Sequence, residues 1–98
     1  MPTFVLLTKL SPEAARDPQA YQDLNRAVTE RIKQHCPEIR WIGNYWILGP
    51  YDYLDVYEAP DEEVASQVAA IIRTFGHATT ETWTAVPWDR FLELMTRI

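Results

Sequence analysis

Two strand-like segments that meet at a Gly-Pro turn occupy the middle of this chain, and a helical segment lies on each side of them. The first, residues 39–48, is rich in aromatic and β-branched residues, and the second, residues 51–59, alternates as a strand does. Because Gly49-Pro50 leaves no room for a crossover, the two segments are predicted to form an antiparallel hairpin.

The two helical segments carry start and stop signals. Asp17-Pro18 is typical of an N-cap followed by proline at the first helical position, and Asp61 is predicted to cap the second helix. Pro37 and Gly76 are predicted to end the two helices. Apolar residues recur at helical spacing in both: Tyr21, Leu24, Val28 and Ile32, then Val64, Val68, Ile71, Ile72 and Phe75.

Strand patterns near both ends complete the arrangement. Residues 3–10 are apolar on both faces, which predicts a central strand, and residues 77–85 predict the last strand before a short helix that starts at Pro87. The order is that of the α+β, ferredoxin-like βαββαβ fold. Right-handed crossovers then place both helices on one face of a four-stranded antiparallel sheet of order 4-1-3-2.

Composition narrows the class of protein. A chain of 98 residues predicts a single domain, residues 1–98, and the net charge of −5 argues against a nucleic-acid partner. No apolar run is long enough to span a membrane, and no basic segment follows Met1, so no signal peptide is expected. The single cysteine, Cys36, cannot form an internal disulfide. We therefore expect a cytoplasmic protein.

The sheet face that carries no helix predicts self-association. It is expected to bear apolar and aromatic side chains, which a monomer rarely exposes over so large an area. Packing this face against a second copy gives a homodimer, and a higher oligomer is left open.

Asp55 is unusual because it lies in the middle of a strand. Strand alternation puts it on one face with Tyr53 and Tyr57, and puts Leu54 and Val56 on the other. Since Leu54 and Val56 suit a core covered by helices, Asp55 is predicted to point away from the helices, towards a dimer interface or barrel lumen.

Two interpretations of Asp55 are open. It forms an interface ion pair with Lys9 or Arg40, or a hydrogen bond to a tyrosine, or else it anchors a small aromatic ligand in an aromatic-walled pocket. The candidate ligand-binding residues are Tyr45, Trp46, Tyr53, Asp55, Tyr57, His77, Glu81 and Trp83.

Other polar groups have structural explanations. Gly49 and Asp52 suit turn chemistry, with Asp52 accepting hydrogen bonds from neighbouring backbone amides. The acidic residues at 58–63 suit a helix start, and no metal site is predicted. Because His35 and Cys36 are adjacent on a helix, they point in different directions and are not a nucleophile–base pair.

The hairpin and the second helix start resemble the GYD-domain family, named for a Gly-x-Tyr-Asp motif. The matching stretches are residues 45–52 (YWILGPYD) and 58–65 (EAPDEEVA), with weaker matches at Leu7-Thr8 and residues 80–82. The resemblance implies a ferredoxin-like fold of the dimeric α/β-barrel type, but it brings no activity or cofactor. Where family members tend to have small or aliphatic residues after the motif, this chain has Tyr53, Asp55 and Tyr57.

Three functions follow as hypotheses. The first is a dimeric small-molecule binding or regulatory module, with no cofactor. The second is a cofactor-free or haem-type monooxygenase of small substrates, as in some dimeric α/β-barrel proteins; its pocket candidates are Tyr45, Trp46, Trp83 and His77. Haem-degrading relatives use an Asn on the first strand, which is absent here. The third is an assembly module without a ligand. Catalytic residues are not assigned.

Overall fold

The computed structural model describes residues 1–98. A 3-10 turn, Ala14–Arg16, precedes the first of three α-helices. The strands are β1 (Thr3–Leu10), β2 (Arg40–Trp46), β3 (Tyr53–Glu58) and β4 (Ala78–Ala85). The helices are α1 (Pro18–His35), α2 (Glu62–Thr74) and α3 (Trp88–Met95).

The four strands form one antiparallel sheet of order β2-β3-β1-β4, which confirms the predicted order 4-1-3-2 and the central position of β1. The hairpin strands are shorter than predicted because residues 47–52 form a longer connection between them. In that connection the Asp52 N–H donates to the Thr8 carbonyl at 2.8 Å, so the backbone contact with β1 begins one residue before β3.

The predicted helix caps are confirmed. Oδ1 of Asp17 accepts a hydrogen bond from the Gln19 N–H at 2.9 Å, and Oδ1 of Asp61 accepts one from the Val64 N–H at 3.0 Å. Gly76 has a φ of 77°, a conformation that favours glycine, and it follows α2 directly after Phe75. Local sequence signals therefore set where the first two helices begin and where α2 ends.

The core lies between the sheet and the first two helices. We call this side of the sheet the helix face and the other side the open face. Tyr57 is fully buried on the helix face, between Phe4 and Trp41, with ring centroids 5.6 and 5.3 Å away. The buried core residues are Phe4, Leu6, Ile32, Cys36, Tyr57, Ala59, Ala65, Val68 and Ile72.

The third helix, α3, projects from the end of β4 and contributes no buried residue. Its apolar residues Trp88, Phe91, Leu92 and Met95 are all exposed. The molecule is long and thin, with principal extents of 50 × 30 × 17 Å. None of the helices combines the length and the apolarity needed to cross a membrane.

Candidate functional site

A cavity of about 540 Å³ lies between α1 and the helix face of the sheet. Small-molecule sites commonly occupy about 300–1,000 Å³, so this volume suits a small organic ligand. Of its 18 lining residues 12 are hydrophobic, and the rest are polar groups spread among them. The lining comprises Leu6, Thr8, Leu10, Tyr21, Leu24, Asn25, Val28, Thr29, Ile32, Trp41, Asn44, Tyr45, Trp46, Tyr53, Asp55, Ile72, His77 and Ala78.

The cavity exists because α1 and α2 pack differently on the sheet. In its 13 residues α2 buries Ala65, Val68 and Ile72, whereas α1, with 18 residues, buries only Ile32 near its end. Along most of its length α1 therefore roofs a space instead of filling it. Asn25 on α1 also borders this space, at an exposed position on its rim.

A bulge in β2 brings Asn44 and Trp46 to the same face of the sheet as Trp41, and all three border the cavity. Trp41 pairs with Tyr57 and Gly43 with Val56, so Ile42 is an extra residue that shifts the alternation of the strand. After the bulge, Asn44 lies opposite Asp55 on the same face as Trp41. Without it, strand alternation would place these two side chains on opposite faces of the sheet.

Asp55 lies at the floor of the cavity. It pairs with Leu6 on β1 and with Asn44 on β2, and Nδ2 of Asn44 donates a hydrogen bond of 2.7 Å to its Oδ1. Burial raises the pKa of the Asp55 carboxyl above its ordinary value, and the Asn44 hydrogen bond opposes that rise. No lysine or arginine lines the cavity, so its walls provide no counter-charge.

Aromatic rings form one end of the cavity. Trp46 makes edge contacts with Tyr21 on α1 and with Tyr53 on β3, at centroid distances of 6.0 and 5.6 Å. Burial raises the pKa of Tyr53, and the nearby Tyr21, Asp52 and Asp55 raise it further. The Tyr53 phenol is therefore neutral at physiological pH and retains a proton to donate.

The predicted face of Asp55 is wrong. Tyr53, Asp55 and Tyr57 do share one face, but it is the helix face, whereas Leu54 and Val56 lie on the open face. The expectation that the apolar pair faces the helices failed because both faces of this strand carry apolar neighbours. Alternation gives which residues share a side, and it does not give which side the helices cover.

The suggested cationic partners of Asp55 are also wrong. Arg40 forms an ion pair with Glu58 at 3.3 Å, and Lys9 is exposed on the open face. Asn44 provides the hydrogen bond instead. Because Asn44 is uncharged, it supplies a hydrogen bond to the Asp55 carboxyl group without supplying a counter-charge.

The eight candidate ligand-binding residues separate into three groups. Those that border the cavity are Tyr45, Trp46, Tyr53, Asp55 and His77. Tyr57 lies beyond it in the core, and Glu81 and Trp83 are exposed on the open face, where Nε1 of Trp83 donates to Oε1 of Glu81 at 3.1 Å. Strand alternation would put His77 on the same face as Glu81, but His77 precedes β4, so this alternation does not apply to it.

Tyr45 is a border residue of a different kind. Its position opposite Leu54 puts its ring on the open face, beside Gly43. A Cβ added at Gly43 would lie 2.7 Å from that ring, so the glycine allows the tyrosine to lie close against the strand.

Sequence reasoning missed Trp41, Asn44 and Tyr21 as cavity residues. The glycine inside an aromatic strand, Gly43, was the available signal, because an isolated glycine in a strand often marks a bulge. A bulge at this point would have moved Asn44 to the side of Trp41 and next to Asp55 in the pairing. Tyr21 recurs with Leu24 and Val28 at helical spacing, and that spacing does not distinguish a cavity residue from a core residue.

Two titratable side chains are enclosed in the core beside the cavity. Burial and the neighbouring Cys36 raise the pKa of Tyr57 to about 12, and its hydroxyl has no hydrogen-bond partner. Burial, then Glu38, raises the pKa of the Cys36 thiol, whose Sγ lies 3.7 Å from Oε1 of Gln67. A buried, protonated thiol is a poor nucleophile, so Cys36 is a packing residue here.

Asp52 of the Gly-x-Tyr-Asp-like motif links the hairpin to the central strand. Its Oδ2 accepts a hydrogen bond of 2.7 Å from the Leu10 N–H, 42 residues away in the chain. The expected backbone amide is therefore found, but on β1 instead of within the turn. In the acidic segment Asp61 caps α2 and Glu58 pairs with Arg40.

The open face is apolar at its centre. Leu7 is buried, and Leu54, Val56 and Val5 around it are half-buried, although no helix covers them. Trp83 extends this surface onto β4 with 51% of its area exposed.

Comparison with known proteins finds relatives in sequence and in fold. The glutamine synthetase and cystathionine beta-lyase binding protein of Thermus thermophilus is 28% identical over 91 residues, covering 89% of this chain and 90% of that protein. The solved structure of TTHA0845, also from Thermus thermophilus, is 25% identical, covers 89% of this chain and 95% of its own, and has a TM-score of 0.59. That of FFRP-DM1 is 22% identical, covers 88% and 100%, and has a TM-score of 0.56. The GYD domain family matches residues 4–95, nearly the whole chain, and the protein therefore belongs to that family.

Proposed function

We propose that this chain is a single domain, residues 1–98, that works as a homodimeric binding module and holds a small organic ligand between α1 and the sheet. The observation that carries the proposal is the cavity itself. Its walls are largely hydrophobic, and a few polar groups converge in it, which is the usual make-up of a ligand site. Part of its lining is exposed, as at Asn25, Asn44 and His77, so a ligand can enter it from solution.

Binding is favoured over catalysis by the groups that line the cavity. Asp55 is hydrogen-bonded to an amide, and no serine or cysteine lies beside His77 in the lining. The similar protein of Thermus thermophilus is itself named as a binding protein. Of the four pocket candidates for an oxygenase, Trp83 lies on the other side of the sheet. Oxygen consumption with candidate phenols tests the oxygenase alternative directly.

The homodimer is proposed through the open face. Leu7, Leu54 and Val56 form its centre, and Trp83 is an exposed aromatic residue at its side. The projecting α3 has an apolar surface that reaches beyond the sheet, where a second copy would cover it. A cytoplasmic location is part of the same proposal, supported by Cys36, which remains a free thiol.

Native mass spectrometry of the protein purified from its own source tests both parts. We expect dimers that carry a small organic molecule. Replacing Val28, a cavity residue, with Trp should abolish the bound mass, whereas Ala27→Trp puts the same side chain at an exposed position outside the lining. Retention of the same mass by Val28→Trp would contradict a ligand in this cavity.

A second function is favoured by the name of the Thermus thermophilus relative and by the exposed apolar residues of α3. In this function α3 contacts an enzyme, such as glutamine synthetase or cystathionine beta-lyase, in place of the second copy. Gel filtration of the purified proteins, alone and mixed, tests it. Co-elution that is lost in Phe91→Ser, on α3, supports it, and independent elution of every component contradicts it.

A further inference from the structure

We infer that the ligand of this cavity is an organic amine in its cationic form, with a flat or apolar body. The inference rests on the proposed function and names the chemical class of its ligand. Asp55 is the only carboxylate in the cavity lining, and neither lysine nor arginine is present there. The other titratable lining groups are Tyr21, Tyr45, Tyr53 and His77.

The carboxylate has unused hydrogen-bonding capacity. Asn44 donates to Oδ1, and no protein group donates to Oδ2. An ionised carboxylate has about four acceptor sites, so most of them are free for a ligand. An ammonium group is suited to this position because it donates hydrogen bonds and also supplies the missing counter-charge.

The surrounding rings favour the same charge. Trp46 and Trp41 line the cavity together with Tyr21 and Tyr53. The faces of aromatic rings attract cations, with Trp the strongest, and a carboxylate close by strengthens the preference. The hydrophobic roof on α1, Leu24 and Val28 among it, suits the apolar body of such a ligand.

The charges of the lining residues also disfavour two related classes of ligand, anions and free amino acids. An anion would meet the Asp55 carboxylate with no cation to balance it. A free amino acid would place its ammonium well but leave its own carboxylate without an arginine or lysine partner. The cavity therefore selects an amine over the corresponding amino acid and over the corresponding acid.

Isothermal titration with four related probes tests the inference: phenethylamine, phenethyl alcohol, phenylacetate and phenylalanine. Near neutral pH we expect phenethylamine to bind about tenfold or more tightly than any of the other three. Asp55→Asn, which preserves shape and still accepts from Asn44, should remove the preference for the amine over the alcohol. The four-probe series needs no variant, so it stands even if Asp55→Asn does not fold.

Three results would overturn the inference: equal affinity for amine and alcohol, tighter binding of phenylacetate, or no binding of any probe. Full amine affinity in a folded Asp55→Asn variant would also overturn it. The proposed function fails separately, because it is tested by a retained mass in native mass spectrometry. A retained neutral or anionic molecule that Val28→Trp excludes would support the binding module and contradict the amine.

Discussion

The two faces of the sheet differ along a single strand. On β3, Tyr53 and Asp55 face the cavity under α1, whereas Leu54 and Val56 face the open side. A monomer would be expected to have the reverse, with the apolar pair under the helices and the polar residues in water. The covered face is thus partly polar and hollow, and the uncovered face is apolar. We interpret the first as a binding surface for a small molecule and the second as a surface for another protein chain.

The largest expected effect comes from placing a charge on the open face. Trp83→Glu should raise the dissociation constant of the dimer by about a hundredfold or more, because an unpaired charge buried in an interface costs about 3 kcal/mol or more. Thr82→Glu is the matched control, since Thr82 is the adjacent exposed residue on the helix face. Sedimentation equilibrium measures both. A dimer that tolerates Trp83→Glu as well as Thr82→Glu would place the interface elsewhere.

Asp52 lies three residues before the cavity residue Asp55, and it has a structural role that substitution can measure. Asp52 accepts the Leu10 N–H, so Asp52→Ala should lower the free energy of unfolding by about 1.5–3 kcal/mol, the range for a hydrogen bond to a charged group. Asp52→Asn keeps an acceptor oxygen and should lose less. Urea denaturation gives both values, and equal losses would mean that the hydrogen bond is not the source of the effect.

The Tyr57 hydroxyl gives a smaller effect of opposite sign. Because this buried group has no hydrogen-bond partner, Tyr57→Phe should leave the free energy of unfolding unchanged or raise it by up to about 1 kcal/mol. Leu6→Ala, a buried neighbour in the core, should instead lower it by about 2–5 kcal/mol. A large loss of stability in Tyr57→Phe would reveal a partner for the hydroxyl.

The smallest expected effect is the pH dependence due to Asp55. Burial raises its folded-state pKa above the unfolded value, so the charged form is disfavoured by folding. The stability that the protonated carboxyl group of Asp55 contributes is fully present below the unfolded-state pKa. It is lost as the pH rises through the folded-state pKa. Asp55→Asn should therefore match the wild type in acid and become slightly more stable at neutral pH. Urea denaturation of both proteins across this pH range tests the sign. A variant whose free energy of unfolding falls below that of the wild type as the pH rises would contradict it.

The sequence predicted those features that depend on local chemistry. Asp17, Asp61 and Gly76 mark helix ends through their own side chain or backbone, and the hairpin follows from Gly49-Pro50 between two strand patterns. The strand order then follows from the handedness of two crossovers.

The cavity was harder to predict because it depends on a gap between α1 and the sheet, and sequence patterns report contacts and not gaps. The helical spacing of Tyr21 is the same whether α1 packs on the sheet or roofs a space above it. The side of Asp55 could not be derived from alternation, since Leu54 and Val56 are apolar although they lie on the face that no helix of this chain covers. The Asp55–Asn44 contact depended in addition on one extra residue, Ile42, in β2.

The indole N–H signals of the four tryptophans test the central claim most directly, because they report on both faces at once. Trp41 and Trp46 line the cavity, whereas Trp83 is on the open face and Trp88 on α3. In heteronuclear NMR spectra, phenethylamine should shift the signals of Trp41 and Trp46, and dilution through the dimer dissociation constant should shift those of Trp83 and Trp88. The opposite assignment, with ligand at Trp83 and dilution at Trp46, would contradict the division of roles between the two faces.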